Sequence, residues 1–453
     1  MDCWANYVRL MLTLSACALP LSCSRTETPR SPLQARVQAV IELPGAFGST
    51  HSQLRQELQQ LSDQRQLPAQ IEATTSTLRD SPYASFVHAY PALTRPGIQR
   101  EVNAIWPPHG QWFEPGSLQK ARELVAYQEA ARKRFADAVA ALGGQPQLRI
   151  TDALHADDEW LDAAITGCRL EGLAAAEALA EQQPGEAIPL CERMLQVSRQ
   201  LASEPNLNAR LIAVSLRADA LQVAGATANH PAATVETLQQ LQRRLIAQTA
   251  EWPSDERVLQ AERAQALLTY ELVRTGHYAH LLSREDRSEL ERKGLLRSTE
   301  TAARRDVDAD ELFYLRAMQQ QVAVAGLPYL QRTSACEALH AELDTREQTG
   351  DVPLLAGKLL LSRMADVHLL LAQDRARCEA WLVALTAASQ QPLGPMPICS
   401  LTNLPYELQQ DRDGVRVANL PLLVGEVIQI RRPGLIQAKR KAAGFDFSPT
   451  RVR

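Results

Sequence analysis

The residues best suited to chemistry lie in Trp106-Pro107-Pro108-His109-Gly110-Gln111-Trp112-Phe113. Three aromatic rings sit among prolines, which fix φ and limit the freedom of the loop. Rigid aromatics of this kind anchor a partner or stack on sugar rings, and they serve equally to plug the end of a helical stack. Trp106, His109, Trp112 and Phe113 are therefore the candidate binding residues. A second pair, His277 and His280 in Gly276-His277-Tyr278-Ala279-His280, places two imidazoles three residues apart at the end of a predicted helix. One face could offer both to a metal, with Asp286 and Glu289 a turn or two on, but no third ligand follows from the spacing. A histidine at a helix C-terminus also suits the helix dipole. The pair remains a metal candidate only, and no metal or cofactor is expected.

Other clusters read as structural. Asp306-Val307-Asp308-Ala309-Asp310-Glu311 spaces acids like the start of a calcium loop. Such a loop needs Gly at its sixth position and Glu at its twelfth, where this chain has Glu311 and Ala317. Capping of a helix from about residue 310 is the expectation. His155 with Asp157, Asp158 and Glu159 reads as a helix start rather than an acid–base set. Gly45-Ala46-Phe47-Gly48-Ser49-Thr50 lacks the Lys and the spacing of a phosphate loop and reads as a turn. No GxSxG, HExxH or GxGxxG occurs in the sequence.

The elements that must position these residues are mostly helical. Residues 34–66 hold two short helical patterns, and residues 67–115 are rich in proline. Ser117 is placed to cap a helix running to residue 142. From residue 157 onward, segments with apolar residues three and four apart follow one another, with Pro184, Pro205, Pro231 and Pro253 between them. A long apolar helix over 353–388 closes the series. Gly414, after Asp411-Arg412-Asp413, marks the turn of a β-hairpin, and the tail from residue 426 is basic, with Arg431, Arg432, Lys439, Arg440 and Lys441.

The front end reads as an address. Leu10–Leu21 is too short to span a bilayer, which takes about 20 residues, and Pro20 interrupts it. Leu14-Ser15-Ala16-Cys17 resembles the bacterial lipobox, in which a Leu and two small residues precede a Cys that is acylated and becomes the new N-terminus. The resemblance implies that Cys17 is the lipidated residue. It also implies a mature protein held in the bacterial cell envelope and facing the periplasm, and Ala18 after the Cys fits sorting to the outer membrane. Residues 24–33 are polar and proline-containing, as a tether is.

The whole chain has 453 residues, 45% hydrophobic and 22% charged, with net charge −4. That is a globular composition, and nothing in the charge points to nucleic acid. An exported chain permits disulfides. Cys23, Cys168, Cys191, Cys336, Cys378 and Cys399 are left to pair or to stay as buried thiols. The segment 187–221 loosely resembles a helical block in exported proteins of planctomycete-type bacteria that carry no assigned activity. Residues 396–421 resemble the hairpin that follows a late helix in the same proteins, and are similar to the strands after the long helix of pseudopilins.

The expected fold is mostly α. It is an irregular array of helical hairpins, α-solenoid-like or an orthogonal bundle, with a small C-terminal β-hairpin. The expected division is a signal peptide (1–16), a lipidated tether (17–33), an irregular N-terminal region with short helices (34–115), a helical array (116–390), a hairpin segment (391–425) and a basic tail (426–453). The expected function is an envelope lipoprotein whose helical scaffold binds a protein or an envelope polymer. The alternatives are an envelope hydrolase whose His and carboxylates converge from distant helices, and an accessory lipoprotein of a secretion or pilus-like system.

Overall fold

Ala- and Leu-rich segments lose little entropy on becoming helical, and their apolar stripes must then find partners. A computed structural model describes residues 49–71, 96–108, 110–142, 159–282, 284–351, 353–418 and 428–431. Its helices are α1 (Ser52–Asp63), α2 (Pro68–Ile71), α3 (Pro96–Ile105), α4 (Pro115–Tyr127), α5 (Glu129–Ala140), α6 (Glu159–Ala180), α7 (Pro184–Ser203) and α8 (Leu207–Ala228). There follow α9 (Val235–Thr249), α10 (Asp255–Arg274), a 3-10 turn at Tyr278–Leu281, α11 (Arg284–Arg292), α12 (Leu296–Arg305), α13 (Val307–Val324), α14 (Tyr329–Thr349) and α15 (Met364–Ala388). The strands are β1 (Glu407–Gln410), β2 (Gly414–Ala418) and β3 (Ile428–Arg431). The fold is mostly helical with a small antiparallel sheet, in the order β1-β2-β3.

Local chemistry sets the boundaries. The Asn206 side chain accepts from Ala209 N at 2.8 Å and opens α8. Thr234 and Thr237 form a capping box at the start of α9. Gly350, with φ of 73°, ends α14 in the left-handed conformation.

Several elements differ from expectation. The helix expected from Ser117 starts at Pro115, because a proline at the first helical position has its φ already set. It also breaks at Gln128 into α4 and α5. The long closing helix is interrupted by a π-turn at Ala356–Leu360. Just before it the Asp310 carboxylate accepts from Leu355 N and Ala356 N, both at 2.9 Å. Asp306 precedes α13 but gives it no side-chain cap. The hairpin is extended by β3, whose residues fall in the stretch expected to be tail. Ile428 and Ile430 pair with Val417 and Val415, and these four side chains form one buried face against α15.

The buried apolar side chains form two clusters. One gathers α3 to α9, the later part of α15 and the sheet. The other gathers α1, α10, α12, α13, α14 and the start of α15. Helices α8 and α15 run through both: Leu211 and Leu371 belong to one cluster, Leu216 and Ala376 to the other. α8 is long and apolar enough to cross a membrane by composition, but 78% of that stretch is buried among other helices. An all-round apolar helix of this kind suits a protein core.

α6 carries small residues where neighbours come close. A Cβ on Gly167 would lie 2.3 Å from the Phe135 ring, and one on Gly172 would lie 2.4 Å from the Trp106 ring. Cys168, Cys191, Cys336, Cys378 and Cys399 are buried free thiols. Among the described residues the cysteines therefore act as small apolar side chains rather than as crosslinks. Burial pushes the Cys191 and Cys378 thiols up to about 12.

Candidate functional site

The aromatic loop follows α3 and divides between two tasks. Trp106 packs on Gly172 of α6, and its indole N–H donates to Asp219 of α8 at 3.2 Å. Arg169 donates to the other oxygen of Asp219 at 3.2 Å, and its guanidinium lies 5.9 Å from the Trp106 ring centre. Phe113 is buried and meets both tryptophans edge-on, with centroids 5.7 Å from Trp106 and 5.0 Å from Trp112. Phe113 is thus a core side chain that fixes the loop, and the half-buried Trp106 packs against the same core. Trp112 is partly exposed and lines a cavity. His109 lies outside the described residues.

The cavity has a volume of about 660 Å³ and is built by distant segments. The loop supplies Gly110, Gln111 and Trp112, and α8 with the turn after it supplies Gln222, Gly225, Asn229 and His230. α15 adds Arg377 and Trp381, which are four residues apart and so share one face of the helix. Gln429 and Arg431 close the cavity from β3. Gly225 is required by close approach, since a Cβ there would stand 2.7 Å from the Trp381 ring.

Hydrogen bonds hold the walls in place. Gln222 Nε2 donates to the Gln111 carbonyl, while Gln222 Oε1 is buried and accepts no hydrogen bond among the described residues. Asn229 Nδ2 donates to the carbonyls of Gly225 and Gln429, each at 2.9 Å, and its Oδ1 accepts from Arg431 N at 2.9 Å. One side-chain amide thereby pairs with the free edge of β3 much as a neighbouring strand would.

The electrostatics are one-sided. The described lining includes two guanidinium groups and one imidazole, and no Asp or Glu. Burial holds His230 below the usual histidine range, against a hydrogen bond to the Leu179 backbone, and its Nδ1 accepts from Ala232 N at 3.2 Å. The imidazole is therefore neutral at physiological pH. Stacking surfaces, amides and fixed positive charge suit binding. Among the described lining residues no carboxylate joins the imidazole as an acid–base pair.

The remaining sequence candidates do not converge on this cavity. His277 follows the end of α10, with Nδ1 3.0 Å from Thr275 Oγ1, and His280 comes next in the 3-10 turn. Among the described residues no group of three His, Cys, Asp or Glu is placed to hold a metal ion. The acids at 306–311 turn to the protein itself. Asp308 and Glu311 bind Arg274 of α10, and Asp310 accepts from Tyr270 Oη at 2.7 Å. Cys17, His155 and the tail beyond Arg431 lie outside the described residues.

A second group of charges sits where the two apolar clusters meet. Arg217 of α8 pairs with Asp374 of α15. Asp255 accepts from Arg210 at 3.3 Å and from Arg332 at 3.0 Å. The guanidiniums of Arg210 and Arg217 lie 5.4 and 4.7 Å from the centre of the Trp252 ring. His368 is fully buried in this region, and burial with the nearby Arg332 pushes its pKa down to about 4. An imidazole and carboxylates are brought together here, but in the interior rather than in a cleft.

Sequence reasoning identified Trp112 and missed Gln222, Gly225, Asn229, Arg377 and Trp381. A signal for part of this existed: a lone Gly in an Ala/Leu helix, followed by Asn-His-Pro as its stop. No protein-family model, no curated protein and no solved structure matches the chain.

Proposed function

We propose that the protein is a lipid-anchored receptor of the bacterial cell envelope that binds a glycan chain of the envelope and performs no chemistry on it. The Leu14–Cys17 motif supports the anchor, and the cavity supports the binding. The observation that carries the reading is the partly exposed Trp112 ring in the wall of a cavity whose other walls offer amide groups. Sugar rings present apolar faces and hydroxyl edges, which such walls match with stacking and hydrogen bonds.

Titration of the tryptophan fluorescence with a panel of soluble oligosaccharides tests the proposal. Saturable quenching is expected in the wild type. Trp112→Ala should weaken binding about tenfold, on the order of 1.4 kcal/mol, without lowering thermal stability by more than a few degrees. A wild-type protein that binds none of the panel overturns the glycan reading.

A further inference from the structure

Charge does not balance at the seam between the two apolar clusters. Arg210, Arg217 and Arg332 are buried there, and the carboxylates paired with them are Asp255 and Asp374. Arg332 gives Nη1 to Asp255 at 3.0 Å and Nε to the Leu327 carbonyl at 2.6 Å. Arg217 is paired with Asp374. Arg210 holds the weakest share. Its Nη2 donates to the other oxygen of Asp255 at 3.3 Å, and its Nε and Nη1 have no acceptor among the described residues, although the side chain is fully buried. Asp374 Oδ1 has no donor among the described residues either. Turning that oxygen to Arg210 would add a hydrogen bond without changing the charge. Three guanidiniums against two carboxylates leave one positive charge in the interior, and arginine does not shed its proton to relieve it. A buried charge of this kind calls for a counterion.

Neutral donors stand at the same place. The Trp252 ring lies against the guanidiniums of Arg210 and Arg217, and its Nε1 has no acceptor among the described residues. His368 is fully buried near Arg332 and Asp255, with neither ring nitrogen partnered among the described residues. A neutral imidazole carries one N–H.

We infer that the seam binds one small monovalent anion of the halide class, with the Arg210 guanidinium as its charged donor. The single excess charge sets the valence. The interior position sets the size: Arg210, Arg217, Arg332, Asp374 and His368 are all buried, and only the partly exposed Trp252 ring stands between the guanidiniums of α8 and the turn that leads into α10. The binding is an association, with no bond made or broken, and it does not depend on the glycan reading.

Thermal melting of the full chain tests the inference, with sodium chloride replacing sodium gluconate at constant ionic strength so that screening stays fixed. Gluconate is too large for an interior site. The melting temperature should rise by about 2 °C for each tenfold increase in chloride above its dissociation constant, and bromide should act as chloride does. Arg210→Met leaves Asp255 with Arg332 and Asp374 with Arg217, so it should fold and lose the chloride dependence. Crystals of the wild type grown with bromide should show an anomalous peak within hydrogen-bond reach of Arg210. A wild-type melting temperature indifferent to chloride overturns the inference. A chloride dependence undiminished in Arg210→Met places the ion elsewhere and also overturns it. If that variant does not fold, the bromide crystals decide: a peak at Arg210 supports the site, and a map without one overturns it.

Discussion

Single residues decide where charge is tolerated. His368 is buried, and neither ring nitrogen has a hydrogen-bond partner among the described residues. Its pKa falls from an ordinary 6.5 to about 4, through burial first and Arg332 second, with Asp255 acting in the opposite direction. The folded chain therefore refuses a proton that the unfolded chain accepts between those values. The contribution to stability is complete above pH 6.5 and is lost as pH falls towards 4, by up to about 3 kcal/mol. Urea denaturation at pH 7 and pH 4.5 should show a larger acid loss in the wild type than in His368→Leu; equal losses would assign the effect to other groups. At the other end of the chain, Cys17→Ser should abolish labelling by an acyl-chain probe and release the protein from membranes, while Cys23→Ser should do neither. Labelling that persists in Cys17→Ser would place the anchor elsewhere.

Elements were legible to the extent that their information is local. The apolar spacing of α6, α7, α8, α9 and α10 reports one buried face or more, and the caps at Asn206 and Thr234 mark where two of them begin. Helix α12 carries one buried apolar residue, Ala303, so little of its position is set by core packing. The contact between Asp310 and the turn before α15 was invisible because the two lie more than forty residues apart. β3 is four residues long and gains its meaning from β2 and from Asn229, not from its own pattern. The clamp at Asn229 joins the end of α8 to the edge of β3. Asn229→Ala removes two hydrogen bonds between them, so the Arg431 amide should exchange with deuterium at least tenfold faster, at a cost of about 1–2 kcal/mol. Unchanged exchange would mean that the pairing with β2 and the burial of Ile428 and Ile430 hold β3 without the clamp.

Across the whole molecule, α8 and α15 tie the two apolar clusters into one unit. Charges cross the seam between them as buried pairs, Arg217 with Asp374 and Asp255 with Arg210 and Arg332. Removing one partner leaves the other buried and uncompensated, which costs about 3–5 kcal/mol, whereas replacing both with apolar residues of similar size is close to neutral. Asp374→Ala should therefore be strongly destabilising, and Arg217→Met combined with Asp374→Leu should recover most of the loss. Chemical denaturation of the single and double variants gives the coupling. A double variant no more stable than Asp374→Ala would show that the pair specifies the packing of the seam.

The sequence by itself determined the class of fold, the order of most helices and the hairpin turn at Gly414. Each of these depends on residues within a few positions of one another, through periodicity, capping and turn chemistry. Tertiary structure alone decided that Phe113 is buried, that Trp106 packs on α6 and that Trp112 lines the cavity. Gly172 draws Trp106 inward, and the meeting of α8, α15 and β3 leaves Trp112 at an open wall. It also gathered Gln222 and Asn229, at the end of α8, with Arg377 and Arg431, which lie far from them along the chain and share no local signature with them. Their proximity follows from how apolar faces pack, a free energy that depends on contacts between segments and is written in no single segment.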